Sequence, residues 1–238
     1  MTRVSADPLS PPPASPTTVP REGTPLWHSL PPDKRHAVVE AALEEFAGRG
    51  YEGASLNTVV RRAGISKGSL FTYFPTKAAL FDALVRLAAG DIREDLRALR
   101  DRSREEPFER RLEALVRTGL DFLERRPGLA RIWFRVLPAG HVPLGRSQVE
   151  ALRRRSREFL EELIAEGQER GELRSDLPAG RMAFQLNLHL EALLSAWQAR
   201  GEAPEAGEVE ERPQREQWVA DFLALVLQGM AHHPERHP

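Results

Sequence analysis

From Pro32 onward, apolar side chains recur every three to four residues almost without interruption. Such a chain buries one stripe per helix and lacks the two-residue period of a half-buried strand. In "PPDKRHAVVEAALEEFAGRGYEG", Val39, Ala42, Leu43 and Phe46 stand at i, i+3, i+4 and i+7. Pro32 suits a first helical turn, and Gly48 and Gly50 suit its end. "SLNTVVRRAG" follows with Leu56, Val59, Val60 and Ala63 on one face, Ser55 as cap and Gly64 as stop. Ser66 caps "KGSLFTYF", Pro75 ends it, and Thr76 opens a long amphipathic helix with Leu80, Phe81, Leu84, Val85, Leu87 and Ala88 inside. Further helices are predicted near 106–125, 127–137, 147–171, 178–200 and 213–231. No run of alternating β-branched residues reads as a strand. The predicted fold class is all-α.

Composition narrows the functions open to such a chain. The formal charge is −1 over 238 residues, so any nucleic-acid surface has to be local. The absence of cysteine excludes disulfides and thiol chemistry. No apolar run approaches the ~20 residues of a membrane span, and the N-terminus lacks the apolar segment of a secretory signal. A cytoplasmic protein without a membrane partner is expected. His36, His141 and His189 are isolated, and "HHPERHP" reads as a frayed tail, 232–238, so no metal is expected. No phosphate-cradling glycine loop or nucleophile elbow is present. The expectation is a protein that is not an enzyme and carries no cofactor. Residues 1–32 hold nine of the 19 prolines, and 1–31 is predicted to be a disordered arm.

Function concentrates in residues 55–74, two short helices joined by a tight glycine turn, the pattern of a helix-turn-helix. A second helix that enters a groove about 12 Å wide needs short or hydrogen-bonding side chains at its start. Ser66, Lys67, Gly68 and Ser69 meet that need. Residues 55–77 hold Arg61, Arg62, Lys67 and Lys77 and no acid, +4 over 23 residues in a chain of net −1. That is a local phosphate-binding surface. Leu70 and Phe74 anchor the second helix inward, while Thr72 and Tyr73 lie around it. The amides that open the next helix, with Lys77, form an anion site.

The stretch "RHAVVEAALEEFAGRGYEGASLNTVVRRAGISKGSLFTYFPTKAALFDAL" resembles the DNA-binding domain of the tetracycline-repressor (TetR) family. The shared pattern is "-F-x-x-x-G-(Y/F)-x-x-(T/S)" followed by "-A-G-(V/I)-S-K-G-x-(L/F)-(Y/F)-x-(Y/H)-F-x-(S/T)-K-x-x-L". One position departs, Val60 standing where alanine is usual. The resemblance implies a three-helix DNA-binding domain over 32–92 and a helical ligand-binding and dimerisation domain over 93–231. It implies Ser55 and Asn57 near phosphate, and Lys67, Gly68, Ser69, Thr72 and Tyr73 on the DNA face. Lys77 would hold backbone phosphate from the fourth helix.

The resemblance also implies a homodimeric repressor on a palindromic, double-stranded DNA operator, released by a small-molecule effector. Phe108, Leu112, Leu115, Phe122, Trp133, Phe134 and Phe159 are candidates for the effector pocket, and the same spacing also describes ordinary core. Two helices are apolar on more than one side and call for a second partner surface. They supply the dimer candidates Phe184, Leu188, Leu193, Trp197, Trp218, Phe222, Leu225 and Val226. The alternative is a helical small-molecule-binding protein whose DNA-binding domain is vestigial.

Overall fold

The computed structural model describes residues 23–136, 138, 146–200 and 214–230. The arm before residue 23, the segment 201–213 and the tail 232–238 lie outside the described residues, as does His141. The described residues form ten α-helices: α1 (Pro25–Ser29), α2 (Pro32–Gly53), α3 (Leu56–Ala63), α4 (Lys67–Tyr73), α5 (Lys77–Ser103), α6 (Phe108–Arg125), α7 (Pro127–Arg131), α8 (Arg146–Glu169), α9 (Ala179–Arg200) and α10 (Arg215–Met230). A π-helical segment, Ile132–Val136, continues α7. The fold is all-α.

The residues fall into two compact units, the first comprising 23–94 with 122–136 and the second 95–121 with 150–200 and 214–230. In the first unit, Val38, Ala42 and Phe46 of α2 are fully buried, with Phe81 and Leu84 of α5. Phe46 and Phe81 meet edge-on at 5.1 Å, and Tyr51 closes the cluster 5.2 Å from Phe81. Offset and edge-on rings add to the gain from burial alone. Gly50 redirects the chain at the end of α2 with φ 68°, a left-handed conformation that favours glycine. The helical pattern resumes beyond it to Gly53, farther than the glycines at 48 and 50 suggested.

Two features depart from the expected boundaries. The arm expected over 1–31 contains α1, whose Trp27 is fully buried. One large aromatic is enough to order five residues when a core stands ready to receive it. Residues 122–136, expected in the C-terminal domain, belong to the first unit, where α7 and the π-segment pack on α2. Gly128 permits this approach, since a Cβ there would lie 3.2 Å from the Leu43 side chain. Arg126 and Asp91, each 12% exposed, pair at 3.2 Å and join this segment to α5.

The second unit is stitched by ion pairs as well as apolar packing. Arg111, 5% exposed, reaches Glu166 at 2.7 Å and links α6 to α8. Arg117 takes Glu113 of its own helix and both carboxylate oxygens of Glu216, at 2.9 and 2.6 Å, linking α6 to α10. Arg215 pairs with Asp121. Gly119 lets α9 come close, its Cβ position lying 3.0 Å from Leu194.

Replacing Phe46 by alanine should cost about 3–5 kcal/mol, the usual range for a buried aromatic, read as a lower urea midpoint at unchanged slope. The Arg117 guanidinium holds the Glu216 carboxyl below its ordinary value of 4.5. A depressed carboxyl contributes stability above its unfolded value and loses it as pH falls through the folded one. At neutral pH, Glu216→Gln should therefore lower stability by at most about 1 kcal/mol, because the pair is largely solvated. Thermal melts at decreasing pH should show the two proteins converging below 4.5; a constant difference would remove the pair from the explanation.

Candidate nucleic-acid interface

Seven residues make a poor helix in isolation, so α4 needs support at both ends and along one side. Its entry is Gly64, left-handed at φ 64° and ψ 37°, whose N–H and that of Ile65 both return to the Val60 carbonyl. That pair of bonds closes α3 and turns the chain within two residues. Ser66 then caps α4, its Oγ accepting the Ser69 N–H at 3.0 Å. Leu70 and Phe74, four residues apart, are 1% and 3% exposed and fasten the helix to the core.

The opposite face of α4 is open. Lys67, Gly68 and Thr72 are exposed, and Ser69 and Tyr73 are half-buried. A Cβ at Gly68 would meet nothing nearer than Ser66 Oγ at 3.8 Å, so the backbone itself is accessible there. Thr72 Oγ1 donates to the Gly68 carbonyl, and the Ser66 and Ser69 hydroxyls bond each other. These local bonds orient small side chains outward without extending them. Lys67 makes no ion pair among the described residues and presents its charge to solvent. Phe71, 38% exposed, shares this helix. Its place one residue after the anchor Leu70 is the signal in the sequence that turns it away from the core.

The supporting contacts around α4 are less evenly distributed. Asn57 is exposed near the start of α3. Ser55 stands at the cap position of α3 but its hydroxyl makes no cap bond. Its backbone N–H donates to Glu45 Oε1 at 2.9 Å, a carboxylate only 3% exposed that Arg49 also approaches at 3.4 Å. A buried carboxylate on α2 thus holds the amide of the cap residue itself, while the serine hydroxyl makes no cap bond. Lys77 Nζ donates to the Glu52 carbonyl at 3.1 Å and lies 4.9 Å above the Tyr51 ring. Burial and the Glu52 carboxylate raise that phenol above its ordinary value. Arg62 pairs with Glu44 at 2.8 Å. Among the four cations of this stretch, Lys67 and Arg61 are the two with their charge open to solvent.

Residues 38–84 match the model of "Bacterial regulatory proteins, tetR family". Over these residues, about a fifth of its length, the chain is similar to that family. Of its relatives, the nucleoid occlusion factor SlmA of Aliivibrio fischeri is 33% identical over 105 residues, 42% of this chain and 51% of that one. The HTH-type transcriptional regulator RutR of Escherichia coli K12 is 42% identical over 53 residues, 22% of this chain and 25% of that one. The chain thus matches about half the length of the first relative and less of the second. A solved TetR family transcriptional regulator from Chloroflexus aurantiacus superposes with a TM-score of 0.65 at 25% identity, over 89% of this chain and 99% of that one.

Beyond residues 38–84, the expected pocket residues divide between the units. Phe122, Trp133 and Phe134 belong to the first, and Phe108, Leu112, Leu115 and Phe159 to the second. Phe108, Leu112, Leu115 and Phe122 are at most 4% exposed, while Trp133, Phe134 and Phe159 are half-buried. Trp197 meets Trp218 edge-on at 5.6 Å at one end of the α9–α10 pair, and at the other end the Arg174 N–H donates to the Met230 carbonyl. The two helices therefore run antiparallel. Phe184 and Leu188 are each 46% exposed and Leu225 is 78% exposed, whereas Phe222 is buried within the chain. Leu193, Trp197, Trp218 and Val226 are half-buried. Among the described residues, no helix is long and apolar enough to cross a membrane and no group of His, Asp and Glu is placed to hold a metal.

Removing the Glu45 carboxylate leaves the Ser55 amide without its acceptor at a part-buried site, so Glu45→Ala should destabilise the first unit by about 1–3 kcal/mol. Chemical denaturation followed by the fluorescence of Trp27, with Trp133, Trp197 and Trp218 replaced by phenylalanine, would measure it, with Glu44→Ala as the solvent-exposed control.

Proposed function

We propose that this protein is a sequence-specific DNA-binding regulator of transcription, acting in the cytoplasm as a homodimer. The carrying observation is the face of α4, with Lys67 charged and exposed, Gly68 open, and Ser69 and Thr72 short and locally bonded. A helix of that shape fits a major groove, and Lys67 supplies the phosphate or base-edge contact that fixes it there. Tyr73 reads from the same helix, and Ser55, Asn57 and Lys77 lie toward the backbone on either side. Lys77 reaches phosphate by exchanging the Glu52 carbonyl for it. The assignment of residues 32–92 to DNA binding, with 93–231 for ligand and dimer contacts, belongs to the same proposal. So does the reading that the chain has no enzymatic activity, RutR and the solved Chloroflexus aurantiacus protein being named as transcriptional regulators.

The dimer rests on α9 and α10. Phe184 and Leu188 lie four residues apart on α9, so one helical face carries both. Leu225 is exposed on the antiparallel neighbour α10, so both helices leave large apolar side chains open to solvent. Covering them with a second copy creates a twofold dimer whose recognition helices stand about one DNA turn apart, roughly 34 Å. A palindromic operator matches that symmetry. A small-molecule effector held in the helical C-terminal part releases the DNA if it binds better to a head spacing that fits the operator poorly. A difference of about 3–5 kcal/mol is enough for that shift. The regulator is then a repressor relieved by its effector.

Retention of host-genome fragments tests the reading. Wild type should keep a few palindromic fragments that Lys67→Ala combined with Tyr73→Ala loses, and Leu225→Arg should shift the protein toward a monomer in sedimentation. Equal retention by wild type and the double variant would return the protein to the class of helical ligand binders with a vestigial head.

A further inference from the structure

The segment before α2 fastens itself to the far end of α4. Thr24 makes both bonds. Its hydroxyl donates to the Thr72 carbonyl at 2.8 Å and its N–H donates to the Tyr73 carbonyl at 3.2 Å. These are the last two carbonyls of α4, groups that a helix end leaves without an internal partner. Trp27 lies under the same end, fully buried, its ring 5.9 Å from Tyr73 and 4.9 Å edge-on from Phe74. Gly23 shapes the approach. It sits at φ 146°, and a Cβ there would lie 2.8 Å from the Trp27 ring, so backbone conformation and space both require glycine. At the other end of α1, Arg35 of α2 donates to the His28 carbonyl at 2.8 Å. The strap 23–28 is thus held at both ends, and between them it closes the C-terminus of the recognition helix.

Resting on the DNA-reading proposal above, we propose that Thr24 and Trp27 are positioning residues for operator recognition, acting through Tyr73. A helix of seven residues has about two turns, so its last turn frays readily, and Tyr73 is the last residue of that turn. Thr24 holds the Tyr73 backbone from the carbonyl side, and Trp27 limits the ring from the inner side. The remaining direction for the Tyr73 side chain is outward, along the face that carries Ser69. Loss of the strap leaves phosphate attraction in place, because Lys67, Arg61 and Lys77 lie elsewhere. What it removes is a defined direction for one side chain that reads the groove. Sequence-specific binding therefore depends on the strap and non-specific binding does not.

The test uses the full chain with Thr24→Val, which keeps shape and N–H but removes the hydroxyl, and Trp27→Phe, which keeps an aromatic ring. Affinity is measured for a genomic fragment retained by wild type and for a random-sequence duplex, each across a salt series. Thr24→Val should weaken the retained fragment about three- to tenfold, the scale of one lost hydrogen bond, and leave the random duplex and its salt slope unchanged. Thr24→Ser should restore the affinity. In a Tyr73→Ala background the Thr24→Val effect should vanish, as it must for a residue acting through Tyr73. Equal losses on both duplexes, or additive losses with Tyr73→Ala, would overturn the positioning role. Wild type that retains fragments which Thr24→Val and Trp27→Phe retain equally sinks the strap alone. Wild type that retains none sinks the DNA reading and the strap with it.

Discussion

A helix of seven residues cannot hold itself, and the burial of Leu70 and Phe74 is what makes α4 a helix at all. Everything proposed for the outer face depends on that inner pair. Their burial needs a wall to press against, and the rings of Phe46 and Phe81 on α2 and α5 stand in the core of the same unit. Gly64 sets the angle at which α4 leaves α3, and the strap at Thr24 closes its end. A face made of short side chains is exposed because every apolar residue of consequence has been turned the other way. Phe71 is the exception that the helix geometry forces, since its neighbours at 70 and 74 already fill the inward direction.

Charge is used differently in the two units. In the second, Arg111, Arg117 and Arg215 are occupied by Glu166, Glu113, Glu216 and Asp121, and their role is to tie α6 to α8 and α10. A chain of net −1 can therefore be rich in arginine without being basic to a partner. In the first unit the cations are sorted by their neighbours. Of the four in residues 55–77, Arg62 is held by Glu44 and Lys77 by the Glu52 carbonyl and the Tyr51 ring, which leaves Lys67 and Arg61 presented to solvent. Local electrostatics, rather than the count of cations along the sequence, decides how much positive potential the head offers to phosphate.

Much of the head was legible because its determinants are local. Gly64, Ser66 and Thr76 act on amides within a few residues, so turn and cap chemistry reads directly from neighbours; Thr76 Oγ1 does accept the Ala79 N–H at 3.0 Å. Leu70 and Phe74 followed from helical spacing. Glu45 was not legible, because it sits in "LEEF" among carboxylates that face solvent, and only the fold brings the Ser55 amide to it. Trp27 was not legible either. Its flanking prolines and threonines read as an unstructured arm, and its partners Tyr73 and Phe74 lie far along the chain. The inclusion of residues 122–136 with the head has the same cause, since Gly128 matters only once Leu43 is beside it.

The sequence by itself determined that the chain is helical, where most of its helix stops fall, and which short stretch carries the helix-turn-helix pattern. Periodicity and turn chemistry are properties of neighbouring residues, so they survive without a fold. The tertiary structure alone decided which cations of residues 55–77 are presented to solvent, which carboxylate holds the Ser55 amide, and that the segment before α2 closes α4. Those outcomes depend on burial and on hydrogen bonds between residues distant in sequence. Such groups find each other only after the apolar stripes have packed, because the gain from one bond is too small to order the chain on its own.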